Sequence, residues 1–349
     1  MKIKSRIRDY QVKFESKFDF VPYISDSNFF VVDKKIYELY KDSFTGVDKS
    51  RLFVFDAEES NKNVDSVLKI CECFTKISAK KNAGLISIGG GITQDVTGFA
   101  ANILYRGIKW VYFPTTLLAA CDSCIGSKTS LNFKEYKNLL GTFFPPSEII
   151  IVSNCFKTLS KNDFASGLGE VVKFNTMSGE SALAELEKDL DALIKRDSKM
   201  IDKYVLRSLT FKKPFVEEDE FDTDKRVFLN FAHTFGHAIE TASKYEIPHG
   251  IAVAVGMLIA NKISLERNLL PQKMFDRILA LVKKIVQIDL SCVKFAEIIG
   301  CIKQDKKQIS SDIRAILMNR NYKLSIEYVT EEEINEAFRY VFNEFGVSI

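Results

Sequence analysis

Short apolar runs and helix-period stretches take turns along the first third of this 349-residue chain, and few folds accommodate that pattern. Phe29 to Val32 and Leu52 to Phe55 read as short buried strands. Val64 to Ser78 carries helical spacing at Val67, Leu68, Cys71 and Phe74. Leu85 to Ile88 is another strand, closed by Gly89, Gly90 and Gly91, and Trp110 to Phe113 is a further one. Strands separated by helix-length segments cannot be joined as tight hairpins, so they line up in parallel with helices covering the sheet. The expected fold is therefore α/β, with a Rossmann-like parallel sheet at the N-terminal end.

Beyond about Thr158 the pattern changes. Ser160 and Asp163 read as a capping box that opens a helix running through Phe174. Amphipathic stretches follow at Ala182 to Ile194, Phe228 to Ser243, Ile251 to Glu266 and Met274 to Val286. Ile313 to Met318 and Lys323 to Val329 suggest a hairpin, and Thr330 to Glu333 caps a last helix. Domains average roughly 150 residues, so the length suits two. The expected division is an α/β nucleotide-binding domain over 1–158 and a mainly α-helical domain, carrying metal and substrate, over 159–349.

A net charge of +3 leaves no broad electrostatic footprint for nucleic acid, so no nucleic-acid partner is expected. The basic start, Met1 to Arg6, runs into Asp9, Tyr10 and Gln11 and not into an apolar signal segment. The longest apolar stretch, Ile251 to Ala260, has 10 residues, too few to span a bilayer, so no membrane association is expected. Seven cysteines without a regular framework suit a reducing cytoplasm. Cys121 and Cys124 form a C-x-x-C beside a Gly/Ser/Lys loop, but with no second pair they are not read as a zinc or redox site.

All three histidines of the chain fall within seventeen residues, at His233, His237 and His249. The first two are four apart, which on a helix stacks both imidazoles on one face. His249 follows a turn at Glu246 to Pro248 that can bring it back to the same place. One histidine on an apolar face is ordinarily structural; spending the whole complement in one window points to a metal or acid–base site. A catalytic zinc commonly keeps three protein ligands and one open position. The window itself does not say which residues ligate or where a carboxylate ligand comes from.

Gly89 to Asp95 follows a strand and opens a helix, so its glycines would let the backbone approach a pyrophosphate at the helix start. It is not the G-x-G-x-x-G fingerprint. Downstream, Pro114 to Thr116 ends a strand, Asp122 to Thr129 sets small residues around Lys128, and Lys137, Asn138 and Lys173 add donors.

Taken together these segments resemble the 3-dehydroquinate synthase family of sugar phosphate cyclases. The family's G-G-G-x-x-x-D, R-G, P-T-T-L-L, D-S-x-x-G-x-K-T and K-N-x-x-G appear as Gly89 to Asp95, Arg106–Gly107, Pro114 to Leu118, Asp122 to Thr129 and Lys137 to Gly141. S-G-L-x-E-x-x-K follows at Ser166 to Lys173, then Arg226, Asn230, His233 to His237 and His249–Gly250. All blocks keep their order between about residues 30 and 318. The resemblance implies a dehydroquinate-synthase-like fold and a homodimer. It also implies NAD and a divalent metal, normally zinc with cobalt possible, as cofactors.

By the same resemblance, Glu170, His233 and His249 would hold the metal, with His237 near the reacting centre. Asp122, Lys128, Asn138, Lys173, Lys212, Asp222, Arg226 and Asn230 would line a pocket for a sugar phosphate, joined by Lys306 or Lys307. Asp33, Glu59, Lys62, Gly89, Gly90, Gly91, Asp95, Thr115, Thr116, Asp122, Lys128, Lys137 and Thr158 would contact NAD. Arg106 would reach the phosphate across the dimer interface. The implied reaction converts 3-deoxy-arabino-heptulosonate 7-phosphate to 3-dehydroquinate and phosphate, the ring-forming step of aromatic amino acid biosynthesis by the shikimate pathway. It proceeds by NAD-dependent oxidation, phosphate elimination, reduction and an internal aldol closure.

Five positions depart from the family pattern. Gln94, Ser127 and Ala232 stand where glycine is usual, Asp222 where glutamate is usual, and Ile251 where glutamate is common. Gln94 is expected to narrow the pyrophosphate turn, and Asp222 to shorten a pocket acid by one methylene. Two other readings compete. One is a related cyclase acting on sedoheptulose 7-phosphate or another sugar phosphate. The other is a metal-dependent alcohol or glycerol dehydrogenase, whose substrates would not need the battery of Lys128, Lys137, Lys173, Lys212 and Arg226. A non-catalytic homologue would not need an intact metal triad.

Overall fold

The computed structural model describes residues 1–77, 82–134, 136–303 and 313–348. Lys306 and Lys307 lie outside the described residues. The chain divides into two compact units, Met1–Leu159 with Val216–Phe221, and Ser160–Phe215 with Asp222–Ile349.

The first unit is built on a seven-stranded sheet. Its elements are β1 (Lys2–Ile3), β2 (Tyr10–Phe14), β3 (Asn28–Asp33), α1 (Lys34–Leu39), β4 (Leu52–Phe55), α2 (Val64–Lys76), β5 (Gly84–Gly89), α3 (Gly91–Ile103) and β6 (Lys109–Pro114). A hairpin of β7 (Lys128–Phe133) and β8 (Tyr136–Phe143) comes next, then β9 (Glu148–Ile151). The strand order is β1-β2-β9-β6-β5-β3-β4, parallel throughout except for β1 against β2. Strands covered on both faces read as continuous apolar runs, and β3 and β5 do: Phe29 to Val32 and all of Gly84–Gly89 are buried. Alternate residues serve opposite faces. Phe30, Val32, Ile86, Ile88 and Phe113 share one cluster with Phe20 and Phe44. Phe29 turns the other way and meets Phe74 of α2 edge-on, with ring centres 6.2 Å apart.

Chain order reverses at β3. Its successor β4 lies on one side, and β5 pairs on the other, with Val32 opposite Ile88. Ligands of open α/β sheets bind outside the carboxyl ends of the strands at such a switch point. Asp33 and Gly89 stand at those two ends.

The second unit is helical. It holds α4 (Lys161–Met177), α5 (Glu180–Ile194), most of α6 (Ser198–Glu218), α7 (His233–Ala242), α8 (His249–Glu266), α9 (Gln272–Ile285), α10 (Ile298–Lys303) and α11 (Glu331–Glu344). The antiparallel hairpin is β10 (Ile313–Met318) with β11 (Leu324–Val329). Helix α8 is its axis, buried almost continuously from Gly250 to Ser264 and apolar all round. No described helix is long and apolar enough to cross a membrane.

Three expectations are corrected. The stretch Phe228 to Ser243 is not one helix: a 3-10 turn, Lys225–Asn230, gives way at Ala232, whose φ is 74°, before α7 begins at His233. Helix α8 starts at His249 and not at Ile251, because Pro248 has extended backbone at the N-cap. Ser160 caps α4 by accepting from Asp163 N at 3.0 Å, but its hydroxyl bonds the Asp163 carboxylate at 2.8 Å, so the reciprocal backbone bond of a capping box is missing.

Candidate active site

Glycines bring the three histidine-bearing and acidic segments of the second unit together. A Cβ on Gly250 would lie 1.8 Å from the Ser166 carbonyl oxygen, and one on Gly169 only 1.9 Å from that of Gly250. Helices α4 and α8 therefore cross at backbone contact, pinned by Gly250 N donating to Ser166 Oγ at 2.9 Å. Helix α7 is held against α8 in the same way, since a Cβ on Gly256 would meet Gly236 N at 2.6 Å. These crossings set Glu170 of α4, His233 at the start of α7 and His249 at the start of α8 around one point.

Glu170 is fully buried. Its Oε1 lies 3.7 Å from His233 Nε2 and 3.7 Å from His249 Nε2, and no hydrogen-bond donor serves it. Oε2 is 2.6 Å from the buried Lys173 ammonium, an ion pair off the hydrogen-bonding angle. Each of these two imidazoles is oriented by its other nitrogen. His233 Nδ1 lies 3.1 Å from the Phe231 carbonyl oxygen and His249 Nδ1 2.9 Å from Glu240 Oε2. With Nδ1 donating in both, each Nε2 presents a lone pair to the shared point. Burial lowers the His249 pKa, but the Glu240 and Glu170 carboxylates outweigh it and hold the group above its ordinary value.

This donor set fits a divalent cation. The three ligand atoms lie within 4.8 Å of one another, and two neutral imidazoles with one carboxylate are a common zinc set. A buried carboxylate oxygen without a donor is costly unless a cation meets it. His237 lies near the group, its ring 5.3 Å from His233 and edge-on to it, and 5.9 Å from His249. His237, Glu240 and His249 form a second, overlapping set.

Lys212 and Arg226 are buried in the same unit, at 6% and 4% exposure, and Asp222 and Asn230 are half-buried. Lys173 also donates to the Leu229 carbonyl oxygen at 3.1 Å. Glu240 escaped the sequence reading. The available signal was its position three residues after His237 and seven after His233, on one helical face.

The remaining expected residues belong to the first unit. Gly89 ends β5 and needs to be glycine, because a Cβ there would fall 2.3 Å from Thr93 Oγ1. Tyr112 pins the turn by donating to the Gly89 carbonyl at 3.1 Å, and Thr115 N donates to the same oxygen at 2.9 Å. Gly90 passes close to Thr116, whose Cγ2 would be 3.0 Å from an added Cβ, and Gly91 opens α3. Asp33 caps α1 through Lys35 N at 2.8 Å, and burial pushes its carboxyl above the usual range. Exposed Thr158 donates to the Cys155 carbonyl.

Five of these side chains, with Ser130 and Asn132, form one polar network, its two halves joined by Asn138 N donating to Asn132 Oδ1 at 3.0 Å. Lys62 reaches Asp95 and Asn138 at 2.6 Å each. Asp95 accepts from Ser130 N and Oγ at 3.1 Å, Asn132 donates to Glu59 Oε1 at 2.8 Å, and Lys137 is 3.8 Å from that oxygen. Burial raises the Asp95 pKa against the pull of Lys62 and Ser130. Asn138, expected in the substrate pocket, thus stands among the expected NAD contacts. Asp122 is half-buried; Lys128 is exposed, as is Arg106 with its φ of 64°. Cys121 and Cys124 are buried, form no disulfide, and turn their thiols to carbonyls of their own turn.

Gln94 is 4% exposed and turned toward Ser123, to which it is joined by two hydrogen bonds.

The model of the 3-dehydroquinate synthase N-terminal domain matches residues 52–166, and that of the C-terminal domain matches 167–308. A 3-dehydroquinate synthase of Dictyoglomus turgidum is 35% identical over 310 residues, covering 88% of this chain and 87% of its own. One from Clostridium tetani is 33% identical, covering 96% and 88%, and one from Pelagibacter ubique 38%, covering 83% and 82%. Among solved structures, 2-epi-5-epi-valiolone synthase of Streptomyces hygroscopicus subsp. jinggangensis, with NAD+ and Zn2+ bound, has a TM-score of 0.85 at 23% identity. The match covers 96% of this chain and 97% of that one. A 2-deoxy-scyllo-inosose synthase complexed with carbaglucose-6-phosphate, NAD+ and Co2+ scores 0.82 at 24%, covering 97% and 99%. These neighbours share the fold, and the sequence relatives go further: the chain belongs to the 3-dehydroquinate synthase family.

Proposed function

We propose that the protein is a 3-dehydroquinate synthase, a lyase converting 3-deoxy-arabino-heptulosonate 7-phosphate to 3-dehydroquinate and phosphate in the cytoplasm, as a homodimer. The observation that carries this reading is the buried Glu170 Oε1, without a donor and 3.7 Å from two oriented imidazole nitrogens, in a chain of this family. Glu170, His233 and His249 would hold zinc or cobalt. Asp33, Glu59, Lys62, Gly89 to Gly91, Asp95, Thr115, Thr116, Asp122, Lys128, Lys137 and Thr158 would hold NAD. When bound, NAD accepts a hydride and later returns it, while the metal stabilises charge on substrate oxygens.

The chain's own groups account for the rest. Buried Lys173 sets its ammonium 2.6 Å from Glu170 Oε2 and offsets the charge of that carboxylate. Buried Lys212 and Arg226 supply the positive charge that a carboxylate-bearing sugar phosphate needs, and a guanidinium can grip a carboxylate through two parallel bonds. Asp122, Lys128, Asn138, Asp222, Asn230 and His237 complete the substrate contacts in this reading. Exposed Arg106 suits a residue that reaches the phosphate of a partner protomer.

The test follows phosphate release with NAD and zinc or cobalt across candidate sugar phosphates. The heptulosonate phosphate should turn over rapidly and sedoheptulose 7-phosphate slowly, if at all. Losing a buried charge contact costs roughly 2–5 kcal/mol, so Arg226→Ala should lose at least about tenfold in kcat/KM with the acid substrate. It should change little with a neutral sugar phosphate. The reverse ranking would retire the substrate assignment, spare the cyclase class and point to Asp222.

A further inference from the structure

The loop that carries Asp122 and Lys128 is fastened at both ends by side chains that stand where the family usually has glycine. At its start, Gln94 Nε2 donates to the Ser123 carbonyl oxygen at 2.8 Å and Ser123 Oγ donates to Gln94 Oε1 at 2.7 Å. At its end, Ser127 Oγ donates to Glu220 Oε1 at 3.0 Å. Glu220 is buried, and it also accepts from Ser5 Oγ at 2.6 Å and Arg6 N at 2.7 Å. Gly126 N donates to Tyr10 Oη at 3.1 Å. The loop is thereby tied to α3 at one side and to the N-terminal segment at the other, all within the first unit.

We propose that these two braces hold residues 122–128 in their ligand-ready shape before any ligand arrives, making Gln94 and Ser127 positioning residues for Asp122 and Lys128. The inference rests on the reading of those two residues as NAD and substrate contacts. Glycine at both places would leave the loop without either tie and with more backbone freedom to lose on binding. A loop already ordered binds its ligand without that loss. Ser127 has a φ of 63°, a conformation in which a side chain is strained. A serine retained there is explained by the bond its hydroxyl makes, since glycine would take the same backbone without strain.

Amide hydrogen exchange of the ligand-free protein tests this directly, beside NAD titration of the same samples. Gln94→Ala, Ser127→Ala, Ser127→Gly and the double variant Gln94→Ala/Ser127→Ala are compared with the wild type. The double variant should exchange about tenfold faster over 122–128, the scale set by losing the braces' hydrogen bonds. Helix α8 should keep its wild-type protection. The NAD dissociation constant should rise about tenfold, and saturating NAD should restore protection of the loop. Ser127→Gly should lose protection although it relieves the strained φ, which separates a brace from backbone strain. Unchanged loop exchange and NAD affinity in a double variant that folds would overturn the proposal, as would faster exchange spread evenly over the chain. If the double variant fails to fold, the single variants decide in the same terms, with smaller factors. A wild type that binds no NAD would retire the functional reading, whereas loop exchange judges the braces either way.

Discussion

At Ala232 the chain enters α7 through a φ of 74°, and alanine pays for its Cβ there. The left-handed region costs an L-residue roughly 1–2 kcal/mol, and glycine gives back about 0.4–1 kcal/mol through its freer unfolded chain. Ala232→Gly should therefore stabilise the protein by about 0.5–1 kcal/mol, seen as a higher denaturant midpoint at unchanged slope. A lower midpoint would show that the methyl group packs to advantage. Glu240 acts one step out from the candidate metal ligands by orienting His249 through Nδ1. Glu240→Gln should weaken zinc binding about 10- to 100-fold in competition with a chelator while leaving the fold intact. Undiminished affinity would remove Glu240 from that role. The residue scale is also where the sequence was read most fully. The histidine window is legible from spacing, the set of Glu170, His233 and His249 only through the family motif, and the structure brings these three to one point. Glu240 was not, because a glutamate on a helix is ordinarily a solvated residue. The pairing of Asn138 with Lys62 spans 76 positions and leaves no local trace.

Among the elements, α8 is the one whose placement everything in the second unit depends on, and Gly250 sets how close it comes. An alanine Cβ at 1.8 Å from a carbonyl oxygen cannot be absorbed by a side-chain rotation, so α4 and α8 must part. Overpacking of this kind costs typically 1–3 kcal/mol. Gly250→Ala should show that loss in denaturation together with reduced metal content by elemental analysis; wild-type values of both would contradict the crossing. Helix α11 offers a pH-dependent test. Its capping box joins Thr330 and Glu333, and Arg267 Nε donates to Glu333 Oε1 at 2.6 Å. The hydrogen bond from Arg267, against burial and with help from Thr330, holds the Glu333 pKa down at about 2. A depressed carboxyl contributes stability above its unfolded pKa and loses it as pH falls through the folded value. The pair is partly exposed, so its worth is screened to about 1 kcal/mol. Glu333→Gln should be less stable than wild type by that amount at pH 7, with the gap closing between about pH 4.5 and pH 2. A gap that stays constant would rule the ion pair out as its source. Most element cores are legible because β3, β5 and β6 are mainly apolar runs, interrupted in β5 by Ser87, and α2 and α9 have clear periodicity. The break at Ala232 was not, since no glycine or proline marks it. The β7–β8 hairpin leaves little trace because it buries few residues, Thr129 and Leu131 on β7 and none on β8.

Over the whole molecule, the expected residues divide between a sheet with a switch point at Asp33 and Gly89 and a helical unit with its triad at Glu170, His233 and His249. The α/β and helical classes were readable from periodicity and order of elements; the specific reaction was readable only through the family motif, since composition and charge fit countless enzymes. In the proposed reaction NAD takes a hydride before phosphate elimination and returns it afterwards. The direct measurement is to follow phosphate and NADH together while the zinc- or cobalt-loaded protein consumes 3-deoxy-arabino-heptulosonate 7-phosphate with NAD far below substrate. One phosphate per substrate consumed, many turnovers per NAD and no net accumulation of NADH are expected. NADH rising in step with substrate consumed, with no phosphate released, would contradict that reaction and identify a dehydrogenase.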